Sequence, residues 1–192
     1  MKKQSQLYKS VDFFKCHKAF HWQYLIKPPG VLALRYLSAI DDLETINRWS
    51  QNTATWSNTF RNKNPPYAIK FYRNFLGSSN MQAFMVTHKD RPVCIIEISL
   101  AQTHILIEKI PCSPEDGILQ YLFDVSAKTN INLAIILELF IEYYLSFQGR
   151  GRLILPLREE DLQVNQIAIE IGFVEIARIK LDISSLIIYR YQ

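Results

Sequence analysis

Glycine is scarce in this chain, with six in 192 residues. That is too few for a long flexible linker or a low-complexity segment. Cysteine is scarcer still. Cys16, Cys94 and Cys112 are odd in number and show no CxxC spacing, so neither a disulfide framework nor a zinc cluster is indicated, and a reducing compartment is expected. No dense Lys/Arg block appears. The formal net charge of +4 suits an anionic ligand and gives no argument for nucleic acid. The apolar run at 131–147 is too short to span a bilayer and carries Glu138 and Glu142. No apolar stretch follows the basic MKKQSQLYKS, so a signal peptide is not expected. No internal repeat is found. The expectation is a soluble, cytoplasmic protein with neither a nucleic-acid nor a membrane partner; a homodimer is compatible with these features.

What is present is apolar. Hydrophobic residues make up 48%, enough to bury a core in a domain of this length without staples. Pro28-Pro29-Gly30 is the clearest breaker, and residues 1–29 read as an arm on a domain spanning 30–192. His17 and His21, four apart beside Cys16, could share a helix face and bind a metal. No motif supplies further ligands, and an aromatic arm with surface histidines is the plainer reading.

Beyond the arm the pattern alternates. Gly30–Ser38 reads as a strand. A helix capped by Asp41 or Asp42 follows, with Leu43, Ile46 and Trp49 at helical spacing. A polar loop carries Trp56. Pro65-Pro66 opens a second helix through Tyr72 to Leu76, stopped by Gly77–Asn80. Met81–Thr87 and Pro92–Leu100 are strands joined by a hairpin-like turn, and Thr103–Ile110 alternates like a third.

The stretch from Asp116 to Gln148 organises the rest. An apolar run, Ile118–Val125, meets a polar turn, Ser126–Asn130, and then a long apolar helix, Ile131–Phe147. A strand feeding a helix through a turn places backbone N–H groups at the helix start, which suits a phosphate. Glu138, Glu142 and Ser146 form a polar stripe on an otherwise apolar rod, the pattern of a helix laid on a sheet. Gln148-Gly-Arg-Gly151 imitates a phosphate-binding turn but follows a helix, and reads better as a helix end. Arg152–Leu157 is a strand, Asp161–Ile171 a helix stopped by Gly172, and Phe173–Asp182 and Leu186–Tyr191 are closing strands. The order is β-α-α-β-β-β-β-α-β-α-β-β, which argues for a mixed sheet.

Three segments carry a family resemblance: LRYLSAIDDLETINRW at 34–49, RPVCIIEISL at 91–100 and NQIAIEIGF at 165–173. Together with the element order they resemble the GNAT acyltransferases, the acetyl-CoA-dependent N-acetyltransferases, over about residues 30–192. The Asp-Leu…Trp opening and Trp56 look most like the siderophore-type branch, which acetylates hydroxylated lysine or ornithine side chains. The resemblance implies an α/β fold with a mixed, largely antiparallel sheet and helices on both faces. It implies acetyl-CoA or another acyl-CoA as co-substrate and a small amine or hydroxylamine as acceptor.

The resemblance also assigns residues. Backbone groups of Leu122, Phe123, Asp124 and Val125 would meet the pantetheine arm. Lys128, Thr129, Asn130, Ile131 and Asn132 would wrap the pyrophosphate, with asparagine at 130 and 132 where the family carries glycine. Asparagine reaches left-handed backbone angles better than other non-glycine residues but adds a side chain where phosphate approaches. Asn165 matches the family's cofactor-contacting asparagine, with a ligand-free helix residue as the competing reading. Ala168 stands where a tyrosine commonly protonates the thiolate. Gln120 stands where siderophore-type members carry histidine, and Glu160 or Asp161 matches their acidic residue. Glu97 is a base candidate if it faces the cleft; otherwise it faces solvent or pairs with a lysine. His104 could act as a base from its strand, or lie at the surface. Tyrosines 143–144 and 189–191 read as packing. Two functions remain: an acyl-CoA-dependent N-acyltransferase in which the acceptor attacks the thioester directly, or a diverged, non-catalytic module that binds a small ligand or a protein.

Overall fold

A tight hairpin sets the sheet in register. Lys89 and Asp90 both take positive φ, 48° and 63°, the two-residue turn whose twist matches paired strands. It joins Met81–His88 to Arg91–Leu100. A computed structural model describes residues 32–38, 40–51, 55–57, 70–74, 78–104, 107–124, 132–147, 150–181 and 184–192. Residues 1–31, and with them the arm, Cys16, His17 and His21, lie outside the described residues.

The described elements are β1 (Leu32–Tyr36), α1 (Leu43–Gln51), β2 (Thr55–Ser57), β3 (Met81–His88), β4 (Arg91–Leu100), β5 (Gly117–Asp124), α2 (Leu133–Leu145), β6 (Leu153–Arg158), α3 (Leu162–Glu170), β7 (Phe173–Lys180) and β8 (Ser185–Tyr191). A helical segment also covers 70–74. The strand order is β1-β3-β4-β5-β6-β8-β7, with β2 paired to β5 off this path. Among the described strands, only β5 and β6 run parallel. The sheet is therefore mixed and largely antiparallel, as the sequence implies.

Alternation along the strands separates two layers. Leu119, Tyr121 and Phe123 of β5 join Leu34, Phe84 and Ile96 under α2 and α3, with Phe140, Tyr144, Val164 and Ala168 in the same cluster. Leu122, Ile95 and Met85 turn the other way, onto Ile46 and Trp49 of α1 and onto Tyr72. Eight side chains of α2 are buried, each stabilising the fold by roughly 1.5–3 kcal/mol relative to exposure. Glu138 and Glu142 stay in solvent. Tyr143, Tyr144 and Tyr189 are core residues. Gly172, at φ 101°, ends α3.

Two expectations are corrected. Thr103–Ile110 is not a strand; short 3-10 turns occupy Ala101–Thr103 and Ile107–Lys109. The reason is topological. β3 and β5 pair with β4 along its length, so the connection has no edge of β4 to join. Ile107 and Ile110 pack instead against Ile118 and Ile154. The second correction is at Trp56. The expected polar loop contains β2, which pairs antiparallel with β5: Thr55 opposite Asp124, Trp56 opposite Phe123, Ser57 opposite Leu122.

Candidate functional site

The feature that shapes the site is a parting of two strands. β5 and β6 pair only at Gly117–Leu153 and Ile118–Ile154. Beyond that the pairing stops, although β5 continues to Asp124 and β6 to Arg158. Proline helps to explain it. The Gly117 N–H donates to Arg152 O at 2.8 Å, and in a parallel ladder Ile154 and Pro156 then direct their backbone nitrogens toward β5. Pro156 has no N–H to give, so the ladder cannot extend through it.

The same alternation sorts the β5 backbone. Odd residues, from Gly117 to Phe123, turn their N–H and C=O groups toward the β6 side, while Gln120, Leu122 and Asp124 turn theirs toward the β4 side. Of the described strand residues expected to meet a cofactor arm, Phe123 is therefore the one whose backbone groups face the opening. Trp56 of β2 lies opposite it. The β6 ladder stops at Ile118 and the β2 ladder begins at Leu122.

Because β5 and β6 are parallel, their C-terminal ends share one end of the sheet, and α2 and α3 start there. Asn132 caps α2, its side chain accepting from the Ile135 N–H at 3.0 Å. Every helix start leaves four N–H groups without an intrahelical partner, and Asn132 satisfies one of them. No acidic residue stands in the first turn of α2, so its positive end is not offset by side-chain charge. Val125, Lys128, Thr129, Asn130 and Ile131 lie outside the described residues.

Asp161 occupies the N-cap position of α3 without a side-chain capping bond. Its neighbour Glu160 is exposed and ion-paired with Arg158 at 3.5 Å. Asn165 is buried, 6% exposed. Its amide nitrogen donates to Arg158 O at 2.8 Å and Asp161 O at 3.0 Å, which pins the β6–α3 turn. Its Oδ1 is buried with no hydrogen-bond partner among the described residues. A buried acceptor without a donor is costly, and an amide-bearing ligand would supply one. The residues present thus fit an acyl-CoA arm at Asn165 and at the start of α2. At Leu122–Asp124 the edge is engaged by β2.

Glu97 sits opposite Gln120 across β4 and β5, on the α1 face. It does not face solvent: it is 1% exposed, and Oε1 accepts from the Tyr72 hydroxyl at 2.5 Å. Burial, followed by the charge and hydrogen bond of Glu97, raises the Tyr72 phenol well above its ordinary value, so the phenol stays protonated and donates. Sequence reading treated Tyr72 only as part of a helix stripe. Three positions earlier on β4, the Cys94 thiol is raised by burial above all, which keeps it protonated. His104 stands in a turn, half-buried, its pKa lowered by burial. At the end of β5, Trp49 Nε1 donates to Asp124 Oδ2 at 2.9 Å, with both groups buried. Among the described residues no group of three or more His, Cys, Asp or Glu could hold a metal, and no helix is long and apolar enough to cross a membrane.

No protein-family profile and no curated protein sequence matches the chain. Solved structures do. An uncharacterised protein (bh2621) from Bacillus halodurans superposes with a TM-score of 0.76 at 11% identity, covering 88% of this chain and 89% of that one. The aminoglycoside acetyltransferase AAC(6')-Ib, in complex with coenzyme A and kanamycin, gives 0.70 at 11% identity over 84% and 94%. A spermidine N-acetyltransferase SpeG chimera from Vibrio cholerae and hSSAT gives 0.65 at 13% over 83% and 94%. At such identities the likeness concerns architecture alone. The chain has the fold of the GNAT acetyltransferases.

Proposed function

We propose that this protein is an acyl-CoA-dependent N-acyltransferase that transfers an acyl group to the nitrogen of a small amine or hydroxylamine. The parting of β5 and β6 after two residue pairs carries this reading, because it opens the sheet beside the starts of two helices. Acyl-CoA, when bound, supplies an activated thioester. The Phe123 backbone, the start of α2 with Asn132, and Asn165 Oδ1 are this chain's groups for holding it. Leu122 and Asp124 shape the edge through their side chains. Val125, Lys128, Thr129, Asn130 and Ile131 belong to the same proposal.

In the transfer, the acceptor nitrogen forms a bond to the acyl carbon as the carbon–sulfur bond breaks, with no covalent intermediate on the protein. Glu97 is the base. The proton released by the acceptor passes to the Tyr72 oxygen as the phenol proton passes to Glu97, along their 2.5 Å hydrogen bond. Coenzyme A leaves as the thiolate and takes its proton from solvent, because alanine stands at 168. Gln120, opposite Glu97, and Asp161 contact the acceptor; the siderophore-type resemblance favours a hydroxylamine. Positioned proton transfer of this kind contributes roughly 10²–10⁴-fold in rate.

A second reading, a non-catalytic module of the same fold, is favoured by Ala168, wholly buried where an acid is expected. The experiment is calorimetry with acetyl-CoA and with free CoA, followed by thiol release with hydroxylysine, lysine and polyamines as acceptors. Binding with acceptor-dependent thiol release is expected. Binding without release with any acceptor leaves the module; no binding of either ligand removes the acyl-CoA proposal.

A further inference from the structure

One strand lies where the proposed cofactor arm would pass. β2 pairs with Leu122–Asp124 on the β5 edge that faces away from β4, because Phe123 is opposite both Cys94 of β4 and Trp56 of β2. That is the edge β6 leaves after Ile118. An extended ligand with amide groups reaching Phe123 through this opening must compete with the Trp56 backbone for the same N–H and C=O.

The competing strand is tethered. Three residues separate α1 from β2, and α1 is fixed to the same end of β5 by the buried Trp49–Asp124 hydrogen bond. The tether keeps β2 at high local concentration beside the edge. Three residue pairs alone make a weak ladder, since an isolated short pairing is marginal in water. A strand that is weakly paired yet held close suits an exchangeable occupant.

We propose that β2 is a built-in competitor that occupies the cofactor edge of β5 in the ligand-free protein and leaves it when acyl-CoA binds. This rests on the acyl-CoA reading above and assigns a regulation to that site. It predicts a lowered apparent affinity, because binding-competent molecules are only a fraction of the total.

The test is hydrogen exchange on the full chain with and without saturating free CoA, alongside calorimetry on the wild type and on Trp56→Pro. Proline at 56 removes the N–H that faces Phe123. The expected result is that wild-type amides at 55–57 are protected without CoA and lose protection with it. Trp56→Pro should bind CoA about tenfold more tightly. CoA binding with protection at 55–57 unchanged, and equal affinity in the variant, overturns the competitor while leaving the acyl-CoA reading intact. Absence of CoA binding by both proteins overturns that reading, and this one with it. The wild-type exchange measurement needs no variant, so it decides the matter even if Trp56→Pro fails to fold.

Discussion

The two ends of β5 are built in opposite ways. At the Gly117 end the chain is locked. Asp116, 2% exposed, accepts from the Arg152 backbone N–H at 2.9 Å, from Arg152 Nη2 at 2.7 Å and from the Ser113 N–H at 2.8 Å. The Tyr144 hydroxyl donates to Gly151 O at 3.0 Å. A Cβ at Gly151 would lie 2.1 Å from Glu115 O, so two backbone segments approach where only glycine fits, and one at Gly117 would lie 2.7 Å from Ile98 Cδ1, the end of a core side chain. At the Asp124 end β6 has gone, a proline forbids its ladder, and a three-residue strand stands in. The lesson is a division of labour: one end fixes β5 and β6 side by side so that the other can part.

The comparison breaks most readily at the locked end. Gly151→Ala sets a methyl against backbone that cannot turn aside, and about 3 kcal/mol or more of stability should be lost, read as a fall in Tm. Between the ends, Glu97→Gln should cut turnover about 100-fold with Tm nearly unchanged. If instead Tm collapses and turnover per folded molecule holds, Glu97 is structural.

Asp116→Asn should cost about 2 kcal/mol, the worth of hydrogen bonds to a charged group. Acid offers the same test on the wild type. Burial raises the Asp116 pKa, but the bonds from Arg152 and Ser113 and the Arg152 charge outweigh it, and the net shift is downward from 3.8. A depressed carboxylate stabilises the fold above its unfolded pKa, and the contribution disappears as pH falls below that value. Stability should therefore drop below about pH 4 in the wild type and less steeply in Asp116→Asn.

The smallest effect belongs to the open end. Trp49→Phe removes one buried donor from Asp124 and should cost about 1–2 kcal/mol, measured by denaturant unfolding. A loss larger than that of Gly151→Ala would reverse the comparison.

Much of this was legible in the sequence, and the reason is physical. Apolar runs bounded by turns marked β3, β4 and β5, the apolar rod at 131–147 marked α2, and Gly172 marked the end of α3, because burial and backbone geometry act locally. The mixed character of the sheet followed from the succession of elements. Thr103–Ile110 misled because alternation there serves packing on Ile118 and Ile154, with no strand edge to join. β2 was invisible because a three-residue polar strand has no pattern of its own; its partner is 67 residues further on, at Phe123. Pro156, inside an apolar strand, was the overlooked sign of the opening. The Tyr72–Glu97 pair joins elements 25 residues apart, which no spacing rule reveals. The helix that carries Asn165 was read from the sequence, whereas its unmatched oxygen emerged only with the fold.

The most direct measurement of the central claim is an acetyl-CoA titration followed by backbone amide chemical shifts in the labelled protein. The account predicts saturable shifts at Phe123, Asn165 and the first turn of α2, with Asp116, Gly117 and Gly151 at the locked end unmoved. Shifts confined to the locked end, or none at millimolar ligand, would contradict it.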